Sequence, residues 1–323
     1  MITTLVYRDT RFVASNPPVE TLAALRAEAN VMLWVDLAAP TDAEIKLVLE
    51  NLFAFHPLAI EDCVTDSPLP KLEEYDDYLY LVMHAVDYSR ADKFTTTELD
   101  LFLGKNFLVT FHRQPLKPVQ AALDRYLKSP GTNVRGPDRF AHVILDLMVE
   151  AYKPALDELH RELDEIESGV LHQMSADELF PRVAGLRKEL SALRQIVRPQ
   201  REIAAVLTQG KNRFIRPLIV PYLRDLAEDL SRIEAQAGAW AEQLILTFRV
   251  YLNKSGHEAN LGIRVLTGIT AITLPVMIIG GWYGMNFDRM HETEAPYSYF
   301  IALALMLAGT VGMLFFLRSK KWL

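Results

Sequence analysis

Two apolar runs set close together in the last part of the chain constrain its fold more than any other feature. The first, residues 261–283, reads LGIRVLTGITAITLPVMIIGGWY and carries one charge, Arg264, near its start. A helix rising ~1.5 Å per residue over that length crosses a hydrocarbon core ~30 Å thick. The second run, residues 297–317, carries no charge. A short polar segment joins them, so the pair is expected to form a membrane hairpin within residues 259–323. Basic residues set its orientation. Arg249, Lys254 and Arg264 precede or open the first run, Arg318, Lys320 and Lys321 follow the second, and the connecting segment holds only Arg289. The positive-inside rule then places both termini in the cytoplasm of an inner or plasma membrane protein.

Residues 1–258 are expected to be a soluble part, long enough to bury a sizeable core. The net charge of −7 speaks against nucleic acid as a partner and mildly for cations. Cys63 is the only cysteine, which rules out an internal disulfide and fits a reducing compartment. The opening MITTLVYRDTRF lacks the charged-then-apolar pattern of a signal peptide.

Residues 1–130 read as an α/β domain. Strands are expected at 3–7, 32–37, 78–86, 98–103 and 107–111, each short and rich in β-branched or aromatic residues. Helices are expected at 19–30, 41–52 and 57–63, with Thr41 and Glu44 spaced for a capping box. No Walker loop, GxGxxG or HExxH is present. His56, His84 and His112 match no ligand spacing and read as core or surface histidines. The turn-rich stretch SPGTNVRGPD, residues 129–138, marks a boundary. Residues 139–207 then read as an antiparallel helical hairpin, weakened at Ser168-Gly169 and broken at 172–177. Its acidic run from Asp157 to Glu167 reads first as a solvated helix face and second as a cation-attracting one.

From Tyr222 the apolar positions 222, 226, 230, 233, 237, 240, 244, 248 and 251 form one stripe. No clear break separates this stripe from the first apolar run. A single helix from near Pro221 to Tyr283 would be ~95 Å long and would need partners along its stripe. The stripe is therefore expected to bury itself against other copies of the chain around an axis. Just before the first run and within it, Asn260, Ile263, Thr267, Thr270, Leu274, Met277 and Gly281 share one uncharged face. That face suits a pore wall with hydrophobic constrictions, and equally suits ordinary helix packing in a membrane. Gly262, Gly268, Gly280 and Gly281 would allow close helix approach, and Pro275 should loosen the helix.

The residues that follow carry a resemblance. Tyr283-Gly284-Met285-Asn286-Phe287 resembles the YGMNF signature of CorA-type magnesium channels, and it closes the first of two C-terminal spans as in that family. Lys320-Lys321-Trp322-Leu323 is similar to the family's basic tail. His56-Pro57-Leu58-Ala59-Ile60-Glu61-Asp62 resembles its HPL-x-x-ED segment, with Pro70-Lys71 following, and Pro221-Tyr222-Leu223-Arg224-Asp225 resembles the start of its stalk helix. The resemblance implies an α+β/α membrane protein. It would have a cytoplasmic α/β domain at 1–130, a helical hairpin and stalk helix at 131–258, and a transmembrane hairpin at 259–323. Copies would assemble as a funnel-shaped homopentamer in the lipid bilayer, an ion channel rather than an enzyme.

The resemblance also implies roles. Gly284, Met285 and Asn286 would form a selectivity filter for hydrated Mg2+, and Co2+ or Ni2+ could pass as well. Asp62 and Asp225, with Glu61 and Glu228 nearby, would bind regulatory Mg2+ between subunits and hold the pore shut. Ile263, Leu266 and Leu274 would supply a hydrophobic gate, and Asp288, Glu292 and Glu294 in the loop would concentrate cations. Mg2+ keeps most of its waters and takes few carboxylates, which suits a filter of neutral oxygens. Two departures stand out: the family's M-P-E is Met290-His291-Glu292 here, and its paired acids early in the hairpin are Glu150-Ala151. A proton-coupled Zn2+ transporter resembling ZntB shares the architecture and is the nearest rival, against which Met285 counts. A membrane-anchored enzyme or sensor is a more distant one.

Overall fold

The computed structural model describes residues 1–87, 95–128, 134–172, 174–210, 212–285, 297–320 and 322. Residues 129–133 of the expected boundary, Gln173 of the expected helix break, Asn286, Phe287 and the loop residues Asp288, Met290, His291, Glu292 and Glu294 lie outside the described residues, as do Lys321 and Leu323 of the tail. Contacts divide the chain into two units, Met1–Leu246 and Thr247–Leu323.

The first unit is built on one sheet of β1 (Ile2–Arg8), β2 (Arg11–Ser15), β3 (Val31–Ala38), β4 (Lys71–Glu74), β5 (Tyr78–Asp87), β6 (Thr95–Gly104) and β7 (Phe107–His112). The order is β2-β1-β3-β7-β6-β5-β4, and β3 with β7 is its parallel pair. The five expected strands are present. The two additional ones, β2 and β4, are the edges, and their sequences RFVAS and KLEE carry the charge that edge strands use against further pairing. That charge also hides them from a search for apolar runs.

Helix α1 (Val19–Ala27) ends before the expected Asn30, because Glu28 already has extended backbone angles. Helix α2 (Asp42–Ile45) starts at the expected capping box: Thr41 accepts from the Glu44 amide, and Glu44 accepts from the Thr41 amide at 2.9 Å. It runs on as a wider π-helical stretch over Lys46–Leu52. In α3 (Pro57–Val64), Pro57 occupies the first turn and His56 Nδ1 accepts from the Leu58 amide at 3.2 Å. His56 is thus a helix cap.

One face of the sheet carries Leu33, Val35, Phe102 and Phe111, packed with Val48, Phe53, Phe55, Ala59 and Cys63 from the α2–α3 region. The other face meets α4 (Lys117–Lys128) and α5 (Pro137–Glu150) through Tyr7, Trp34, Tyr126 and Phe140, with ring centroids 4.9–6.4 Å apart. Tyr152 and Gln200 tie the hairpin of α6 (Tyr152–Leu171) and α7 (Ala176–Leu207) to this sandwich. Gln200 donates to the Tyr152 hydroxyl at 2.8 Å, and Tyr152 donates to the His84 carbonyl at 2.9 Å. His84 and His112 are both buried, as expected of core histidines. The acidic run on α6 is largely partnered: Glu162 and Glu165 hold Arg182 of α7, and Glu158 holds Arg161.

Helix α8 (Val220–Tyr283) is continuous, as expected. The partner expected for its stripe is corrected by the structure. Leu226, Leu230, Ile233, Ala237, Trp240 and Leu244 are already buried within one chain, none more than 8% exposed. Polar and aromatic ties flanking the stripe lead to the hairpin. His160 of α6 stacks on Trp240 at 5.2 Å, Gln243 donates to Glu167 at 2.8 Å, and Arg201 of α7 pairs with Glu234 at 3.1 Å. Burial within one chain removes the need for other copies at this stripe.

Among the described residues, α8, whose C-terminal part lies in the second unit, and α9 (Ser298–Ser319) are the two helices long and apolar enough to cross a membrane. Their close contact is made by Gly309 on α9: a Cβ there would lie 2.9 Å from Pro275 Cβ. Gly262 and Gly281, expected to serve close approach, meet nothing within one chain.

Leu230 is fully buried within one chain. Leu230→Ala should lower the stability of the first unit by ~2–5 kcal/mol, the range for a large-to-small core change. Size exclusion in detergent should show the same elution as the wild type, because the stripe is spent inside the chain. An oligomer that falls apart while the unit keeps its melting temperature would place the stripe between copies after all.

Candidate functional site

The candidate residues fall into two groups, one in each unit. In the membrane unit the geometry begins with α8. Gly268 is buried, and Ile272, Pro275 and Ile279 are half-buried, on the side that meets α9. At 3.6 residues per turn, Ile263, Thr267, Thr270, Leu274, Met277 and Gly281 lie on roughly the opposite side. All six, with Asn260 and Leu266, are exposed in the single chain. The second span therefore leaves this uncharged face uncovered.

The threonines on and beside that face are internally committed. Thr267 Oγ1 donates to the Ile263 carbonyl at 2.8 Å, and Thr270 Oγ1 to the Leu266 carbonyl at 2.9 Å. Back-bonding of this kind uses the hydroxyl proton and leaves the oxygen lone pairs to accept. The hydroxyls thus present oxygen, which suits the waters or surface of a cation. The helix ends with the Gly284 amide donating to the Gly280 carbonyl at 3.0 Å and the Met285 amide to Trp282 at 3.3 Å. Gly284 and Met285 are exposed, at the negative end of the helix dipole. Asn286, which would complete the filter, and the loop acids Asp288, Glu292 and Glu294 are outside the described residues.

In the first unit Asp62 and Glu61 sit on α3, and Asp225 and Glu228 on the first turns of α8. Glu61, Asp225 and Glu228 are exposed, and Asp62 is half-exposed. Among the described residues no three His, Cys, Asp or Glu side chains of one chain gather closely enough to hold a metal ion. A single copy thus offers separate carboxylates. Exposed apolar residues accompany both sets: Leu58, Val64 and Leu69 around the first, Leu218 and Tyr222 before the second.

Asp62 has a partner that the sequence alone did not assign. Lys71 of β4 donates to Asp62 Oδ2, reaches Glu73 Oε1 at 3.3 Å, and lies 5.3 Å from the Tyr80 ring centre. Burial works to lower the Lys71 pKa, but the hydrogen bond to Asp62 and the charge of Glu73 outweigh it, and the net shift is upward. Register explains the meeting. Lys71 pairs with Val82, and Val82 with Asp100, so one row of side chains crosses the sheet beneath α3.

That row and the next contain an acid pair that also escaped the sequence. Tyr80 donates to Asp100 Oδ1 at 2.6 Å, and the Ser67 amide donates to Glu98 Oε2 at 2.7 Å. His84 Nε2 lies 3.0 Å from the Ser67 carbonyl. Since a carbonyl only accepts, Nε2 carries the proton there. A cavity of about 360 Å³ opens beside Ser67, His84, Glu98 and Asp100. Burial pushes Asp100 well above the usual carboxylate range and Glu98 up to about 7, while burial pushes His84 down. The signal lay in the alternation of TTTELDLFLG: Glu98 and Asp100 share the inward parity of Phe102.

The chain is similar to known proteins over nearly its whole length. The family model described as "CorA-like Mg2+ transporter protein" matches residues 29–320. YfjQ of Bacillus subtilis, named for metal ion transport, is 32% identical over 289 residues, covering 90% of this chain and 89% of its own. The cobalt/magnesium transport protein CorA of Thermotoga maritima is 26% identical, covering 94% of this chain and 87% of its own. Among solved structures, the CorA magnesium transporter of Methanocaldococcus jannaschii superposes with a TM-score of 0.81 at 21% identity, over 99% of this chain and 98% of that one.

The raised pKa of Glu98 has a measurable consequence. The folded state holds a proton on Glu98 between its ordinary 4.5 and about 7, where the unfolded chain has lost it. Folded protein then binds more protons than unfolded, so this group's contribution is full below 4.5 and is lost as pH rises through about 7. Glu98→Gln cannot ionise, so its melting temperature should fall less between pH 5 and pH 8 than that of the wild type. His84 acts in the opposite direction in both proteins and cancels in the comparison. Parallel pH profiles for the two proteins would show that Glu98 does not carry the shift.

Proposed function

The chain belongs to the CorA family of divalent metal-ion transporters, and from that premise we propose that it is a Mg2+ channel closed by cytosolic divalent metal. Residues 1–258 form the cytoplasmic part and 259–323 the membrane hairpin, with both termini cytoplasmic in an inner or plasma membrane. Copies assemble as a homopentamer. The observation that carries this reading is the uncharged, uncovered face of α8 opposite its contact with α9, leading to Gly284 and Met285. Copies arranged about an axis would turn that face, with its threonine oxygens, toward a pore.

The pore then runs past Asn260, Ile263, Leu266, Thr267, Thr270, Leu274, Met277 and Gly281. Threonine oxygens meet the waters of a hydrated ion, and Ile263, Leu266 and Leu274 form constrictions that close by dewetting. Gly284, Met285 and Asn286 make the filter. Asn286 supplies a side-chain carbonyl, and the missing side chain at Gly284 lets backbone oxygens approach the axis. Asp288, Glu292 and Glu294 raise cation concentration at the outer mouth. Mg2+ is the main cargo, and Co2+ and Ni2+ pass by the same chemistry.

Regulation is assigned to Asp62 of one copy and Asp225 of the next, with Glu61 and Glu228 beside them. The fit is chemical. Accessible carboxylates, no three of which gather in one chain among the described residues, suit an ion that takes one or two carboxylates and keeps its waters. Such a site is weak, on the order of 10⁻⁴–10⁻³ M. Bound metal replaces repulsion between neighbouring carboxylates with attraction. The helix that carries Asp225 also carries Ile263, Leu266 and Leu274, so a shift at the interface has a direct route to the constriction.

Asn286→Ala removes the filter's one side-chain oxygen. Liposomes holding the assembled mutant and a Mg2+ indicator should show uptake markedly slower than the wild type, because the ring of side-chain carbonyl oxygens that meets the ion is gone. Normal Mg2+ uptake by assembled mutant would exclude the filter. Wild-type Zn2+ uptake that exceeds Mg2+ uptake and depends on a pH gradient would favour the proton-coupled zinc reading.

A further inference from the structure

Asp62 is the one proposed regulatory ligand whose charge is already answered inside its own chain. Lys71 Nζ donates to its Oδ2, and the two side chains are 27% and 41% exposed. Both residues are held in place by neighbouring structure. Asp62 stands on α3, capped by His56, and Lys71 is fixed by the pairing of β4 with β5. The ammonium lies against the Tyr80 ring and has a second carboxylate in reach, Glu73 Oε1 at 3.3 Å. Glu73 is itself fixed, because the Tyr75 hydroxyl donates to its other oxygen at 2.9 Å. Lys71 can therefore give up Asp62 and stay neutralised.

A divalent ion arriving at Asp62 meets this ammonium first. Both cations are drawn to the one carboxylate, and at hydrogen-bond separations they repel each other. We propose that Lys71 is a built-in competitor for the regulatory ion: it holds Asp62 in the metal-free protein and shifts to Glu73 when a divalent ion binds. This rests on the reading of Asp62 as an intersubunit ligand. The exchange is one cation for another at an oxygen, with no bond made or broken covalently. Its effect is to raise the metal concentration at which the interface closes, so a filled site reports a high cytosolic level and not a trace. Salt has a second consequence. Ions that screen the Lys71–Asp62 pair weaken the competitor as well as the ligand, so the competition is steepest at low ionic strength.

The test uses the full-length protein in detergent, with MgCl2 as the probe and Mg2+-dependent protection against a protease as the readout. Lys71→Met keeps the aliphatic stem over Tyr80 and removes the charge. A partly exposed pair of this kind is worth a few-fold in an equilibrium, so the protection midpoint should fall by about threefold. Lys71→Arg keeps the charge and can hold Asp62 with two donors, so its midpoint should equal or exceed that of the wild type. Asp62→Asn should abolish protection or raise its midpoint, and adding Lys71→Met to Asp62→Asn should change nothing further. A Lys71→Met midpoint that is unchanged or higher, with Asp62→Asn still impaired, overturns the competition and leaves the site standing. Unchanged protection in Asp62→Asn overturns the site and the competition together. Lys71→Met measured by circular dichroism at matched temperature separates a fold defect, which would raise the midpoint, from the predicted fall.

Discussion

The contact on which the rest of the structure depends is the burial of the α8 stripe, from Leu226 to Leu244, against the α6–α7 hairpin. A helix the length of α8 has no stability of its own to spare in water. Packed into the hairpin, it becomes part of a unit that also includes the sheet, through Tyr152, Gln200 and the His84 carbonyl. This contact fixes where Asp225 and Glu228 stand, because they are the exposed residues of turns whose Leu223, Leu226 and Leu230 are buried. It also leaves other apolar residues exposed in the single chain, near Asp62 and before Asp225.

The same helix meets a second solvent in the other unit, and there the logic reverses. In hydrocarbon, apolar exposure costs nothing, so close packing and polar groups decide contacts. Gly309 against Pro275 sets one face of α8 toward α9. The opposite face keeps three oxygen-bearing side chains, Asn260, Thr267 and Thr270, and no charge. The proposed conduit and the proposed sensor thus occupy one element, with different neighbours deciding which face is free.

Much of this was legible in the sequence. The continuous α8, both spans, the five strands of high β-propensity and the Thr41–Glu44 cap all follow from local pattern, and local pattern also formed them. The errors share a cause. Whether the 222-to-251 stripe meets a neighbouring copy or its own hairpin is a choice between two apolar surfaces, and periodicity is the same for either. The edge strands β2 and β4 carry charge where a strand search expects apolar residues. Lys71 and Asp62 are brought together by strand register, and the Glu98–Asp100 pair was visible only as two acids with the parity of a core residue. Gly309 was overlooked because glycine in a membrane helix marks a contact only once its partner, Pro275, is known.

The central claim is that the free face of α8 lines the path of the ion. Single cysteines placed in a Cys63→Ser background test it most directly, with a membrane-impermeant thiol reagent added to liposomes during Mg2+ uptake. The account predicts that modification stops uptake in Thr270→Cys and leaves it unchanged in Ile279→Cys, whose side chain lies on the side facing α9. Block at Ile279→Cys with free uptake at Thr270→Cys would contradict it.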